Sequence, residues 1–245
     1  MDSKTKYKEI KEKVKNIDPG VGILDKEGWC LYKLVRHNNI GPVIEIGSWK
    51  GRSTIWLAQA CIDKLKEEDK SYIVYAVDPH SNTGTHKYES VGDTFEDFIT
   101  NITEAEVSEI ITPIRMTSKK ALKEILWNLE VGKIGTGFVF IDGSHYYEDV
   151  RFDFDNWSKS LNLGGSIALH DTIAYEGPSK VVIEEIFNPE FRIIRVCGQV
   201  VVFRRYTRTW WIPIWNYTMY LYWIVYSTLF KLATKLPSSI KEKLK

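Results

Sequence analysis

Asp142 and His145 stand three residues apart, directly after the apolar run at 136–141 and before a helix-like stretch. His170 and Asp171 end a second apolar run, Ser-Ile-Ala-Leu-His-Asp at 166–171. Carboxylate and imidazole are the side chains that hold divalent ions and move protons near neutral pH. Two apolar runs that both end in Asp and His suggest a site shared between two strand tips. A plainer alternative has Asp142 capping the next helix and the two histidines hydrogen-bonding within their loops.

A different chemistry is suggested by Glu45-Ile-Gly-Ser-Trp-Lys-Gly51. Gly47 and Gly51 leave backbone room in a turn, and the helix N-terminus that follows favours a carboxylate or another anion. The spacing is Gly-x-x-x-Gly, not the dinucleotide Gly-x-Gly-x-x-Gly, so a ligand bearing a carboxylate fits better than a pyrophosphate. Asp78 follows the apolar run Val-Tyr-Ala-Val. Such a carboxylate can hold both hydroxyls of a ribose, or it can simply cap the turn before Pro79.

The elements that must carry these residues alternate regularly. Apolar runs at 42–46, 72–77, 109–114, 136–141 and 165–170 read as strands, each followed by a helical pattern, and 191–205 reads as a hairpin turning at Gly198-Gln199. The expected fold is α/β: a Rossmann-like, doubly wound, mostly parallel sheet of seven strands with a C-terminal antiparallel hairpin. In such sheets ligands bind beyond the carboxyl ends of the strands, where all of these residues fall. Ahead of the sheet, 4–17 reads as a surface helix and 25–37 as an amphipathic one burying Trp29, Leu31, Tyr32 and Val35. Three segments result: a basic N-terminal helix at 1–20, a catalytic domain at 21–205 and a tail at 206–245.

The 245 residues are enough for one such domain, and 44% hydrophobic with 27% charged is a globular composition. A net charge of +1 gives no reason to expect nucleic acid as a partner. Cys30, Cys61 and Cys197 are far apart, which fits a reducing compartment and argues against a zinc cluster. The charged N-terminus has no apolar core of a signal peptide, so the expectation is a cytoplasmic protein.

From about Gly22 to Phe203 the chain resembles the class I S-adenosylmethionine-dependent methyltransferases. More narrowly, it is similar to the branch with macrolide-sugar and rhamnosyl O-methyltransferases and cephalosporin hydroxylase-like proteins. The resemblance rests on Val-Ile-Glu-Ile-Gly-Ser-Trp-Lys-Gly, on Val77-Asp78-Pro79, and on Gly-Gly-Ser-Ile-Ala-Leu-His-Asp-Thr. It rests above all on the long pattern met by His145, Tyr147, Val150, Asp153 and Trp157. The resemblance implies that Glu45, Gly47, Ser48 and Gly51 line the methionine end of S-adenosylmethionine, that Asp78 holds its ribose, and that Ser118 lies near its adenine. The family often has Gly-Asp where this chain has Met116-Thr117. By the same resemblance Asp142, His170 and Asp171 would hold a divalent ion, His145 would be the general base, and the acceptor would be a sugar or glycan hydroxyl. Relatives often carry an acid at the position of His170, and the softer set here would either favour Mn²⁺ or another transition ion over Mg²⁺ or belong to a metal-free site. Asp153 and Trp157 read as structural, and His80 and His86 as surface residues of a polar loop that closes over substrate.

The stretch 209–230 contains no charged residue and holds four of the nine tryptophans. As a helix it would be about 33 Å long, enough to cross a bilayer core. Its Trp and Tyr content belongs to a membrane interface, and Arg204, Arg205, Arg208, Lys231 and Lys235 flank it. Three placements stay open: in or on a membrane at its cytoplasmic face, against a second subunit of a homo-oligomer, or folded back on its own domain. The first suggests a glycolipid acceptor. Two other functions fit the same residues: methylation of a catechol-type small molecule, and a non-catalytic membrane adaptor that keeps a cofactor pocket.

Overall fold

The computed structural model describes residues 2–19, 22–38, 40–66, 72–81, 92–131 and 135–234. Two helices, α1 (Ser3–Val14) and α2 (Asp25–Asn38), precede the sheet. The alternation then runs β1 (Val43–Ile46), α3 (Arg52–Leu65), β2 (Val74–Val77), α4 (Phe95–Glu104), β3 (Ile111–Ile114), α5 (Ser118–Val131), β4 (Thr136–Ile141), α6 (Tyr147–Trp157), β5 (Leu161–Leu169) and α7 (Glu176–Glu185). The hairpin β6 (Phe191–Cys197) and β7 (Val200–Arg205) follows, and the long helix α8 (Trp211–Thr234) closes the described chain.

The seven strands lie in the order β3-β2-β1-β4-β5-β7-β6. Pairings among the first five are parallel, and β7 is antiparallel to both β5 and β6. Every residue of β1 and β4 is buried, as expected of central parallel strands covered on both faces. The chain reverses its winding direction between β1 and β4, and a crevice opens beyond their carboxyl ends at that switch. The expected α/β architecture, seven strands, hairpin and helical tail are all present.

Two sequence expectations change. The N-terminal helix is not merely a surface element, because Ile10 and Val14 are fully buried in one core with Leu31, Val35, Trp56 and Ala60. Lys6 also reaches Asp63 on α3 at 3.1 Å. The lysine-rich pattern advertises the wet face and hides a narrow apolar stripe one turn apart.

The second change concerns the tail. No helix of the described residues is long and apolar enough to cross a membrane. α8 has the length, but Asn216, Thr218, Ser227, Thr228 and its tyrosines dilute its apolarity. It packs along the edge strand β6 instead. Buried Asn216 accepts from the Ile193 N–H at 2.8 Å and donates to the Phe191 carbonyl at 2.7 Å. Trp215 Nε1 donates to the Ile193 carbonyl at 2.8 Å. These side chains use the backbone groups that an edge strand would otherwise offer to another chain.

Candidate active site

The cleft beyond β1, β2, β4 and β5 has a volume of about 650 Å³. Its first wall is the turn from β1 into α3. Gly47 sits there at φ +90°, and a Cβ on it would lie 2.3 Å from the Asp142 carbonyl oxygen. Only glycine lets the β1 and β4 tips approach this closely. Trp49 follows at φ +47°, a sparsely populated conformation for a bulky residue. It is held by its own N–H, which donates to Asp78 Oδ2 at 2.9 Å, while the His80 N–H donates to Asp78 Oδ1 at 2.7 Å. One backbone donor on each oxygen orients the Asp78 carboxylate at the tip of β2 and leaves lone pairs for a ligand.

Gly47, Ser48, Asp78, Ser118, Asp142, His145 and Asp171 therefore line one cleft. Glu45 and Gly51 do not line it. Glu45 is fully buried behind the turn, where it accepts a hydrogen bond from Thr54 Oγ1 at the start of α3. Burial raises its carboxyl to about 8, against the lowering effect of hydrogen bonds from Ser53 and Thr54, with Asp142 and Asp78 adding to the rise. Gly51, at φ +88°, sits at the N-cap of α3 and faces Phe98 and Ile102.

The Asp and His residues do converge. His145 Nε2 lies 2.8 Å from Asp171 Oδ2, and its ring stacks on Tyr175 with centroids 3.8 Å apart. His170 is almost wholly buried behind the two aspartates. Its Nδ1 is 2.9 Å from Asp142 Oδ1 and 3.5 Å from Asp171 Oδ1. Its Nε2 is 3.3 Å from Glu27 Oε2. Desolvation would lower the His170 pKa, but the Asp142 charge and bonds to Asp142, Asp171 and Glu27 win and raise it well above the ordinary value. Burial would raise Asp171, but hydrogen bonds from His145 and His170 outweigh it and hold that carboxyl below its usual range. Asp171 takes φ +56°, which aims its two oxygens at two different imidazoles.

The cluster suits a cation. Three carboxylates, from Glu27, Asp142 and Asp171, surround the His170 ring, and a proton on that ring is one way to balance them. A divalent ion is another. The ligand atoms of Asp142, His170 and Asp171 all lie within 4.8 Å of one another. A neutral His170 that donates Nε2–H to Glu27 would turn its Nδ1 lone pair toward both aspartates, the carboxylate–imidazole–metal arrangement that fixes a ligand's tautomer.

Four residues of the site escaped the sequence. Glu27 lies on α2, far along the chain from His170, and its oxygens also accept from the Leu24 N–H at 2.8 Å and the Gln199 N–H at 2.6 Å. An acid in the first turn of an amphipathic helix carries no sequence signal for this role. Asp153, expected to be structural, lines the cleft beside Ser118. Ser118 donates to it and accepts from Trp157 Nε1 at 2.8 Å. Burial pushes the Asp153 carboxyl up to about 7, against the Ser118 hydrogen bond. Tyr175 is the third. His80 is the fourth and a correction, because it is 2% exposed and not a surface residue. Its Nδ1 lies 3.1 Å from Thr94 Oγ1 and its ring packs on Phe95 and Phe98, so burial lowers its pKa. His86 lies outside the described residues.

Solved structures with the same fold include a protein described as an O-methyltransferase from Klebsiella pneumoniae (TM-score 0.59, 13% identity, covering 82% of this chain and 90% of that one). The O-methyltransferase TomG from Streptomyces achromogenes, in complex with SAM, gives a TM-score of 0.56 at 16% identity over 84% of this chain and 91% of that one. An O-methyltransferase from Bacillus cereus in complex with SAH gives 0.55 at 15% identity, over 84% and 92%. At such identities the likeness speaks for the fold. The sequence itself matches the family described as "Methyltransferase domain" over residues 44–172, from β1 to just past Asp171. That match covers more than half of the chain and most of the residues that line the cleft, and the chain belongs to this methyltransferase family.

Proposed function

We propose that the protein is an O-methyltransferase that moves the methyl group of S-adenosylmethionine to a hydroxyl of a sugar or glycan. The observation that carries this reading is the His145–Asp171 pair at 2.8 Å, in the same cleft as the Gly47 turn and the Asp78 carboxylate. The neighbouring structures bound to SAM and SAH support the choice of donor.

Glycine at 47 and the oriented Asp78 carboxylate fit the donor, with the ribose hydroxyls on Asp78 and the adenine toward Ser118 and Asp153. Bound there, S-adenosylmethionine supplies a methyl carbon on a positively charged sulfur that leaves as a neutral thioether. The acceptor oxygen attacks that carbon, the carbon–sulfur bond breaks, and the hydroxyl proton must go elsewhere. The His145 imidazole takes it, and the Asp171 carboxylate, which accepts from Nε2 at 2.8 Å, stabilises the imidazolium that forms. Tyr175 stacks on the ring and fixes its plane beside Asp171. A divalent ion on Asp142, His170 and Asp171 would make a coordinated hydroxyl more acidic. A vicinal diol is the acceptor that uses both the cation site and the base.

The test is transfer of labelled methyl from S-adenosylmethionine to a panel of sugars, glycolipids and a catechol, with and without Mn²⁺. His145→Ala should bind S-adenosylhomocysteine normally by calorimetry and lose transfer by about 10²-fold or more. Undiminished turnover would remove His145 from the chemistry, and transfer confined to the catechol would replace the sugar acceptor.

A further inference from the structure

α8 is apolar on two sides. Its inner face, with Ile212, Asn216 and Trp223, is buried against β6. Its outer face presents Ile214, Leu221, Val225, Leu229 and Leu232, each 48–61% exposed. From Trp211 to Phe230 the helix carries no charged side chain in any direction. A helix facing water on its outer side normally shows charged residues there, and a long uncharged one is covered.

The surroundings specify the cover. Between residues 191 and 234 the chain has six basic residues, Arg192, Arg195, Arg204, Arg205, Arg208 and Lys231, and no acid. Arg195, Arg208 and Lys231 are exposed. Arg192 lies over the ring of Trp215 at 4.1 Å, so positive charge and indole share one surface. A second copy docking through this face in the usual two-fold manner would set like charges against like. An anionic lipid surface complements them, and the Trp and Tyr rings suit the headgroup layer. The helix cannot cross the bilayer, so it would lie in the surface with its inner face still on the protein.

We propose that α8 docks the enzyme side-on to an anionic membrane surface. The placement of the cleft follows from one contact. The Gly198 N–H donates to Tyr226 Oη at 3.0 Å, which fixes the later turns of α8 at the tip of the β6–β7 hairpin. The next residue, Gln199, lines the cleft. The mouth thus opens beside the docked helix, where an amphiphilic acceptor held in the same lipid layer reaches it. That last step rests on the proposed methyl transfer, whereas the docking does not.

Flotation of the full chain with vesicles separates the two. The protein should float with phosphatidylcholine vesicles containing phosphatidylglycerol, float poorly with phosphatidylcholine alone, and be released by salt. Leu221→Glu combined with Val225→Glu, at outward positions, should leave the circular dichroism unchanged and weaken vesicle affinity roughly tenfold or more. Arg208→Glu, outside the helix, should weaken binding to the anionic vesicles alone. Docking is overturned if the wild-type protein stays at the bottom of the gradient with both vesicles, or if these variants bind as tightly as wild type. It is equally overturned if light scattering shows a dimer that the double substitution dissociates. None of these outcomes bears on methyl transfer to a water-soluble sugar.

Discussion

Gly198 is where the hairpin, the buried cluster and α8 meet, and substituting it by alanine tests that junction. The residue sits at φ +59°, where an alanine costs about 1–2 kcal/mol. A Cβ built there would also lie 2.0 Å from Glu27 Oε1, far inside the 3.4 Å of ordinary contact. Both Glu27 oxygens are engaged and the side chain is 1% exposed, so it cannot swing into solvent. Displacing the carboxylate breaks its bond from the Gln199 N–H, and a buried hydrogen bond to a charged group contributes about 1.5–3 kcal/mol. The expected cost of Gly198→Ala is therefore about 3–5 kcal/mol, a fall in Tm of roughly 6–20 °C for a domain of this size. Gly22→Ala is the matched control. It has φ +68° and nothing within 4 Å of its built Cβ, so it carries the backbone term alone, a fall of roughly 2–8 °C. Differential scanning calorimetry of both variants gives the contribution of the Glu27 collision as a difference. Equal destabilisation by the two substitutions would refute the packing of Glu27 against the hairpin.

Two further predictions concern buried acids. Glu27→Gln keeps the shape but leaves one of two opposed donors unmatched and removes the carboxylate behind His170. Mn²⁺ affinity by calorimetry should fall by about 10–100-fold, and unchanged affinity would exclude Glu27 from orienting His170. Glu45 is raised in the folded protein to about 8 from an ordinary 4.5. The folded state thus holds a proton that the unfolded chain has released between those values, and stability declines as pH rises through that window. Glu45→Gln should flatten the urea-unfolding profile between about pH 5 and pH 8; a slope identical to wild type would contradict a buried, protonated Glu45.

The strand–helix alternation and the cleft were readable because parallel strands buried on both faces leave continuous apolar runs, and because their tips end in Gly47, Asp78, Asp142 and Asp171. Each of those residues sits where a local pattern changes. Glu27, Tyr175 and Asp153 were illegible as site residues for the opposite reason. Their side chains project from the sides or starts of helices, and what they meet depends on how α2, α6 and α7 pack, which no local spacing encodes. His80 shows the same limit in reverse. A histidine in a polar stretch looks wet, yet α4 brings Phe95 and Phe98 over it.

The tail shows how a correct reading of composition can leave geometry undecided. The absence of charge in 209–230 is compatible with lipid on every side, with a partner, or with the chain's own core. The side-chain amide of Asn216 breaks the tie for one face. In lipid it would be a buried polar group without a partner, costing several kcal/mol. Against β6 it meets one backbone donor and one backbone acceptor, both at hydrogen-bond distance. Trp215 Nε1 and Tyr226 Oη make the same choice further along. Asn216, Trp215 and Tyr226 are thus matched to the hairpin's backbone, and no charge points outward along 211–230. One helix therefore completes the edge of the sheet on its inner side. On its outer side it keeps an uncharged surface beside basic residues, which is why folding back and lying on a membrane are compatible placements for this segment.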